Sequence, residues 1–104
     1  RRQIMADNQR YRGQPIVLTE YGGIAISGEG EGWGYYNKVR NEDEFFRRLE
    51  PITDFLIKSG QFAGFCYTQL TDVMQEVNGL LREDRTLKFP AEKLRMIFAK
   101  KRYE

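Results

Sequence analysis

The chain contains no histidine and only one cysteine, and these absences remove several classes of function. Without histidine a Ser-His catalytic triad cannot form, and most zinc sites are excluded. The single thiol, Cys66, has no partner for an internal disulfide and no histidine to activate it as a nucleophile. Because Cys66 lies within an apolar run, we expect it to be a buried, unreactive thiol.

The sequence also lacks a long hydrophobic run, and its charges nearly balance. No window approaches the roughly 18 apolar residues of a membrane span, and no basic-then-apolar leader is present. We therefore expect no membrane partner and slightly favour a cytoplasmic location. A net charge of +2 is too small to indicate a nucleic-acid partner. A nucleic-acid interface is a minor alternative that would use Lys93, Arg95, Lys100, Lys101 and Arg102.

What is present suits a single folded domain or a piece of one. Apolar residues make up 40% of the 104 residues and aromatic residues 13%. Residues 1–12 are predicted to be the tail of a helix that Gly13 ends. Continuous apolar runs bounded by Pro or Gly then predict buried strands of a parallel sheet at residues 15–20 and 62–69.

Residues 41–59 carry the clearest helical pattern. Asn41 is a good N-cap, and Glu44 three residues later forms a capping-box-like pair with it. Pro51 should kink this helix or cost about 3 kcal/mol. The apolar stripe of the helix should be core or, in a piece of a domain, an exposed interface. It comprises Phe45, Leu49, Ile52 and Leu56, and it is widened by Phe46 and Phe55.

The order of elements predicts an α/β fold. A glycine-rich loop over residues 21–38 follows the first strand, and a second long loop follows the second strand, with a hairpin turn predicted at Asn78-Gly79. A short final helix should begin at Pro90. Two strand-to-helix units with the long loops after the strands are typical of a (β/α)8 TIM barrel. Such a barrel needs eight units, so we expect a fragment of one.

Glu20 is the first candidate for chemistry, because ligands and catalytic groups collect at the carboxyl ends of strands in α/β folds. The non-functional alternative is that Glu20 is a solvent-exposed carboxylate at the end of a strand. In the glycine-rich loop, Trp33, Tyr35 and Tyr36 could stack on a sugar ring or fold back as a small apolar cluster. Phosphate binding by this loop is disfavoured, because it lacks a Lys-Ser/Thr pair and carries two carboxylates.

The end of the second strand supplies the other candidates. Tyr67 and Gln69 alternate with Thr68, so only one set can face the mouth of a barrel, and Tyr67 is the stronger candidate. Asp72 and Glu76 could accept hydrogen bonds from sugar hydroxyls, although surface acids are common. No residue pattern predicts a metal or a cofactor.

These two strand ends resemble glycoside hydrolase family 2, the β-galactosidase and β-glucuronidase group. Residues 16–23 (IVLTEYGG) are similar to its seventh barrel strand, and residues 63–72 (AGFCYTQLTD) to its eighth strand and the following loop. Residues 75–81 (QEVNGLL) and Asp84-Arg85 match a bacterial subgroup. The resemblance covers residues 13–99 and implies the last two strand-helix units of the TIM barrel.

The resemblance implies a retaining β-glycosidase with Glu20 as nucleophile and a β-glycoside as substrate. It suggests substrate contacts at Tyr21, Trp33, Tyr67, Gln69 and Asp72. The sequence departs from the family at the eighth strand, where Tyr67 replaces a frequent Trp and Thr68 an acidic residue. These changes leave the sugar undefined.

The acid/base glutamate of the family belongs to an Asn-Glu pair that ends the fourth barrel strand, and that strand is not in this sequence. Asn41-Glu42 is no substitute, because it opens a helix. We therefore expect the chain to be inactive alone and, with its strand edges and apolar faces uncovered, to self-associate. The alternative function is a non-catalytic carbohydrate-binding or interaction module of the α/β class.

Overall fold

A computed structural model describes residues 4–28, 32, 34 and 38–101. Within them the chain forms two helices and a two-stranded parallel sheet, a small mixed α/β arrangement. The elements in chain order are β1 (Val17–Gly22), α1 (Glu42–Lys58), β2 (Gly64–Thr68) and α2 (Ala91–Phe98). The predicted order of elements from the first strand onwards and the parallel pairing are confirmed.

Helix α1 begins as its sequence predicts. The side chain of Asn41 accepts a 2.9 Å hydrogen bond from the backbone N–H of Glu44. The carboxylate of Glu44 reaches back one residue further than in a capping box and accepts a 2.8 Å bond from the backbone N–H of Arg40. The helix continues through Pro51, which is exposed. Local capping and the apolar stripe are therefore sufficient to locate this element.

The core lies between the helices and one face of the sheet. Phe45 is fully buried and stacks on Phe89 with ring centroids 4.0 Å apart. Only part of the apolar stripe of α1 contributes, because Phe55 is 57% exposed. The central buried residues are Ile24, Val39, Phe45, Leu49, Phe89, Leu94 and Ile97.

Two predictions about burial are wrong. Val17 in β1 is 51% exposed, and Cys66 in β2 is exposed rather than buried. A parallel sheet is normally covered on both faces. Here the described helices cover one face, so side chains on the other face remain open to solvent.

The predicted helix tail is also wrong within residues 4–12, which form turns and irregular structure. Asn8 takes a left-handed conformation with φ 66°, and the backbone N–H of Gln9 bonds to the carbonyl of Ala6 at 3.0 Å. Ile4 is 97% exposed. A short helix without an apolar face against the core is not stable in water, so the scattered apolar residues are insufficient.

The second loop turns earlier than its sequence indicates. Val73 and Glu76 exchange backbone hydrogen bonds at 3.0 and 2.9 Å around a turn in which Met74 has φ 51°. The predicted hairpin turn at Asn78-Gly79 is therefore wrong. Glycine at position 79 instead allows the backbone of Thr71 and Asp72 to pack closely against it, since a Cβ on Gly79 would overlap that backbone.

Helix α2 follows Pro90 as predicted. Among the described residues, neither helix is long and apolar enough to cross a membrane.

Candidate functional site

The candidate site is built by an irregularity in β1. The sheet register pairs Leu18 with Phe65 and then Tyr21 with Tyr67. Strand β1 therefore has one more residue than β2 between the two pairs, which is a β-bulge. Such a bulge re-aims side chains and is frequent beside functional sites. It places Tyr21 on the same face as Leu18, towards the helices, and leaves Glu20 exposed.

Tyr21 is fixed towards the helices by packing and by one hydrogen bond. Its ring meets the rings of Phe65 and Tyr67 edge to face, with centroids 5.7 and 5.6 Å apart. Its hydroxyl lies 2.9 Å from Oγ1 of Thr53, a fully buried residue of α1. Burial raises the pKa of Tyr21 above its ordinary value. The substrate contact at Tyr21 stays a prediction, and the hydroxyl of Tyr21 is engaged with α1.

Glu20 lies beside an open groove of about 630 Å³ that runs along β1 and α1. The groove is mainly apolar, and Glu20 and Arg48 are the charged residues among those that line it. Its lining residues are Leu18, Glu20, Tyr21, Gly22, Ile24, Arg48 and Ile52. The carboxylate of Glu20 is thus at the end of a strand, accessible, and next to a concave surface.

Tyr67 belongs to the helix side of the sheet as well. Its ring packs edge to face on Phe98 with centroids 5.7 Å apart. Gly22 lies so close that a Cβ there would overlap the Tyr67 ring, and Gly22 has φ 99°, which favours glycine. Burial raises the pKa of Tyr67 well above its ordinary value. Its hydroxyl oxygen is buried without a hydrogen-bond partner among the described residues.

Gln69 holds the second loop to the end of β2. Its side-chain amide donates to the carbonyl of Glu76 at 3.4 Å, and its own carbonyl accepts from the N–H of Leu80 at 3.1 Å. The side chain of Asn78, which is fully buried, donates to Oε1 of Glu76 at 3.3 Å. The carboxylate of Glu76 is thereby tied to the interior of the loop.

Asp72 lies within the second loop, where it organises the backbone. Its Oδ1 accepts a 2.7 Å bond from Nζ of Lys88 and a 2.8 Å bond from the N–H of Gly79. The Lys88 and Asp72 side chains are 2% and 8% exposed. Nζ of Lys88 also donates to the carbonyl of Val77 at 3.1 Å. These contacts show that Asp72 stabilises the second loop, and its contact with sugar stays a prediction.

The two long loops meet. A Cβ on Gly32 would overlap the carbonyl oxygen of Gln75 and the side chain of Val77. A Cβ on Gly34 would overlap the carbonyl of Gly23. Glycines of the first loop therefore permit its close approach to the end of β1 and to the second loop. The predicted sugar contact at Trp33, with Tyr35 and Tyr36, lies outside the described residues.

The described site residues predicted from sequence thus divide into three groups. Glu20 lies on the open side of the sheet, whereas Tyr21 and Tyr67 pack towards the helices, and Gln69 and Asp72 hold the second loop. Sequence reasoning missed Thr53 and Lys88. A signal for Thr53 was available, because it interrupts the apolar stripe of α1 between Leu49 and Leu56. Nothing local identified Lys88.

No group of three or more His, Cys, Asp or Glu residues that could hold a metal occurs in the described part of the chain.

The fold and the site define a small α/β unit with an accessible carboxylate at the end of a parallel strand. No protein-family model matches the chain, and no curated protein matches it.

Proposed function

We propose that the chain is the last quarter of the catalytic (β/α)8 barrel of a retaining β-glycosidase of glycoside hydrolase family 2, with Glu20 as the nucleophile. The observation that carries the proposal is the position of Glu20. The Thr-Glu-Tyr-Gly segment ends a parallel strand, and Glu20 is exposed. Because Tyr21 packs towards the helices, the alternation of side chains directs Glu20 to the opposite face. In a TIM barrel that face lines the interior, and the carboxyl ends of the strands form the active site.

The chemistry requires an ionised carboxylate that can reach an anomeric carbon. An oxygen of Glu20 would attack that carbon, and the aglycone would leave with the electron pair of the glycosidic bond. The result is a glycosyl ester, which water then hydrolyses. Glu20 is exposed at the edge of the groove and is not part of the ion pairs that hold the second loop.

A retaining mechanism also needs a second carboxyl group about 5–5.5 Å from the first to protonate the leaving oxygen. Among the residues that the structure describes, two further carboxylates near the strand ends are already engaged, Asp72 with Lys88 and Glu76 with Asn78, and the Asn-Glu pair that carries the acid/base in the family has no counterpart at a strand end of this sequence. We therefore place the acid/base outside these 104 residues and expect the chain alone to lack turnover.

The leaving group makes the proposal testable in the chain as it stands. Dinitrophenolate leaves without a proton, so a 2,4-dinitrophenyl β-glycoside bypasses the acid. We expect a slow release of dinitrophenolate that stops at about one equivalent per chain and disappears in Glu20→Gln. Glu83→Gln, a change at an exposed glutamate of the second loop, should behave as the unmodified chain.

Two outcomes would contradict parts of the proposal. Continuous hydrolysis of a simple alkyl β-glycoside that depends on Glu20 would show that the acid/base is present in the chain. If the chain binds the sugar but shows no Glu20-dependent release of dinitrophenolate, the non-catalytic carbohydrate-binding module is favoured.

A further inference from the structure

The bulge in β1 decides which of two neighbouring residues faces the open side of the sheet. Side chains of consecutive strand residues point to opposite faces, so fixing one residue fixes its neighbour. If pairing continued from Leu18 and Phe65 without a bulge, Glu20 would pair with Tyr67 and point into the core, and Tyr21 would point outwards. Whatever holds Tyr21 towards the helices therefore also holds Glu20 away from them.

One buried side chain in α1 makes that contact. Thr53 is fully buried, and its hydroxyl donates a 3.0 Å hydrogen bond to the carbonyl of Leu49. Because its only hydrogen is used there, Oγ1 of Thr53 must accept from the hydroxyl of Tyr21, 2.9 Å away. The chain Tyr21 to Thr53 to Leu49 links the residue after Glu20 to the backbone of the long helix.

We propose that Thr53 is a positioning residue for Glu20: by holding Tyr21, it maintains the β1 bulge that keeps the carboxylate on the open face of the sheet. The significance of this position for catalysis rests on the proposed function, whereas the geometry does not. Thr53 acts through Tyr21, and Gly22 completes the arrangement by letting the Tyr67 ring pack against the strand.

Amide exchange can test the positioning without any enzyme activity. The N–H of Gly23 donates to the carbonyl of Thr68 at 2.8 Å, just after the bulge, and reports whether the end of β1 stays paired. The N–H of Asp72 donates to the carbonyl of Leu81 at 2.9 Å and serves as a reference in the second loop. In Thr53→Val we expect exchange at Gly23 to accelerate about tenfold relative to exchange at Asp72.

Two matched variants separate positioning from general weakening of the fold. Thr53→Ser keeps the hydroxyl and should restore the ratio of the unmodified chain. Tyr21→Phe removes the other partner of the bond while keeping the ring, and it should accelerate Gly23 as Thr53→Val does. If Thr53→Val fails to fold, Tyr21→Phe carries the test.

Acceleration by the same factor at both amides, or by none at Gly23, would overturn the proposal, because Thr53 would then contribute only to overall stability. The release of dinitrophenolate that depends on Glu20 should also slow in Thr53→Val and recover in Thr53→Ser. If that release is absent from the unmodified chain, the proposed function fails while the exchange ratio still decides the role of Thr53.

Discussion

The buried ion pair between Lys88 and Asp72 should be the most sensitive single point of the second loop. Replacing Lys88 by Met keeps a long apolar stem but removes the ammonium group that bonds Asp72 and the carbonyl of Val77. The carboxylate of Asp72, whose side chain is 8% exposed, would then be left buried with the N–H of Gly79 as its remaining partner. We expect a large loss of stability.

The exposed fractions determine the size of that loss. Removing one partner of a buried ion pair costs about 3–5 kcal/mol, whereas a surface pair is worth about 0–1 kcal/mol. A side chain 2% exposed places Lys88 in the first class. With a urea dependence of about 2 kcal/mol per molar, the unfolding midpoint of Lys88→Met should fall by roughly 1.5–2.5 M.

Urea unfolding followed by circular dichroism measures this shift, and Lys58→Met is the matched control. Lys58 pairs with Asp54 at 3.0 Å, but the two side chains are 43% and 33% exposed. The double variant Lys88→Met with Asp72→Asn should be more stable than Lys88→Met, since no charge is then buried alone. If the midpoint shifts no more in Lys88→Met than in Lys58→Met, burial does not make the Lys88–Asp72 pair more important for stability, and the prediction is wrong.

Three further predictions concern other parts of the chain. Because burial raises the pKa of Tyr67, the stability present at lower pH should be lost as pH rises above about 10, and Tyr67→Phe should reduce that loss in thermal unfolding measured against pH. Gly79→Ala should lower the melting temperature strongly, since its Cβ would overlap backbone. Gly64→Ala, whose Cβ would meet only Val17 at 3.8 Å, should not, and equal effects would contradict this reading. Because Val17 is 51% and Phe55 57% exposed, and one edge of β1 pairs with no described strand, light scattering at micromolar concentration should show self-association; a monomeric mass would contradict it.

Features that depend on neighbouring residues in sequence could be predicted. The N-cap at Asn41 and the apolar spacing of α1 located that helix to within one residue at each end. Bounded apolar runs located both strands and their parallel order. These signals are local, and the tertiary structure did not override them.

Features that depend on residues distant in sequence could not be predicted. The turn signal at Asn78-Gly79 failed because Asn78 is buried and Gly79 packs against the backbone of Thr71 and Asp72. Cys66 was expected in the core, but whether the second face of a sheet is covered depends on other elements. The pairing of Asp72 with Lys88 spans 16 residues and leaves no periodic signal in the sequence.

The positions and directions of the Glu20 and Tyr21 side chains could be predicted only in part. The sequence predicted that Glu20 lies at the end of a strand, but alternation alone does not say whether Glu20 or Tyr21 faces the helices. The bulge decides this, and it depends on Thr53, 32 residues after Tyr21. Position along the chain was therefore predictable, whereas the direction of the side chain was not.

The most direct test of the central claim is to map the covalent intermediate. A 2-deoxy-2-fluoro β-glycoside with a dinitrophenolate leaving group forms a long-lived glycosyl ester on a retaining nucleophile, and peptide mass spectrometry locates it. We expect one added fluoroglycosyl group on the peptide that contains Glu20, and none in Glu20→Gln. An ester on another residue, or labelling that persists in Glu20→Gln, would contradict the assignment of Glu20 as the nucleophile.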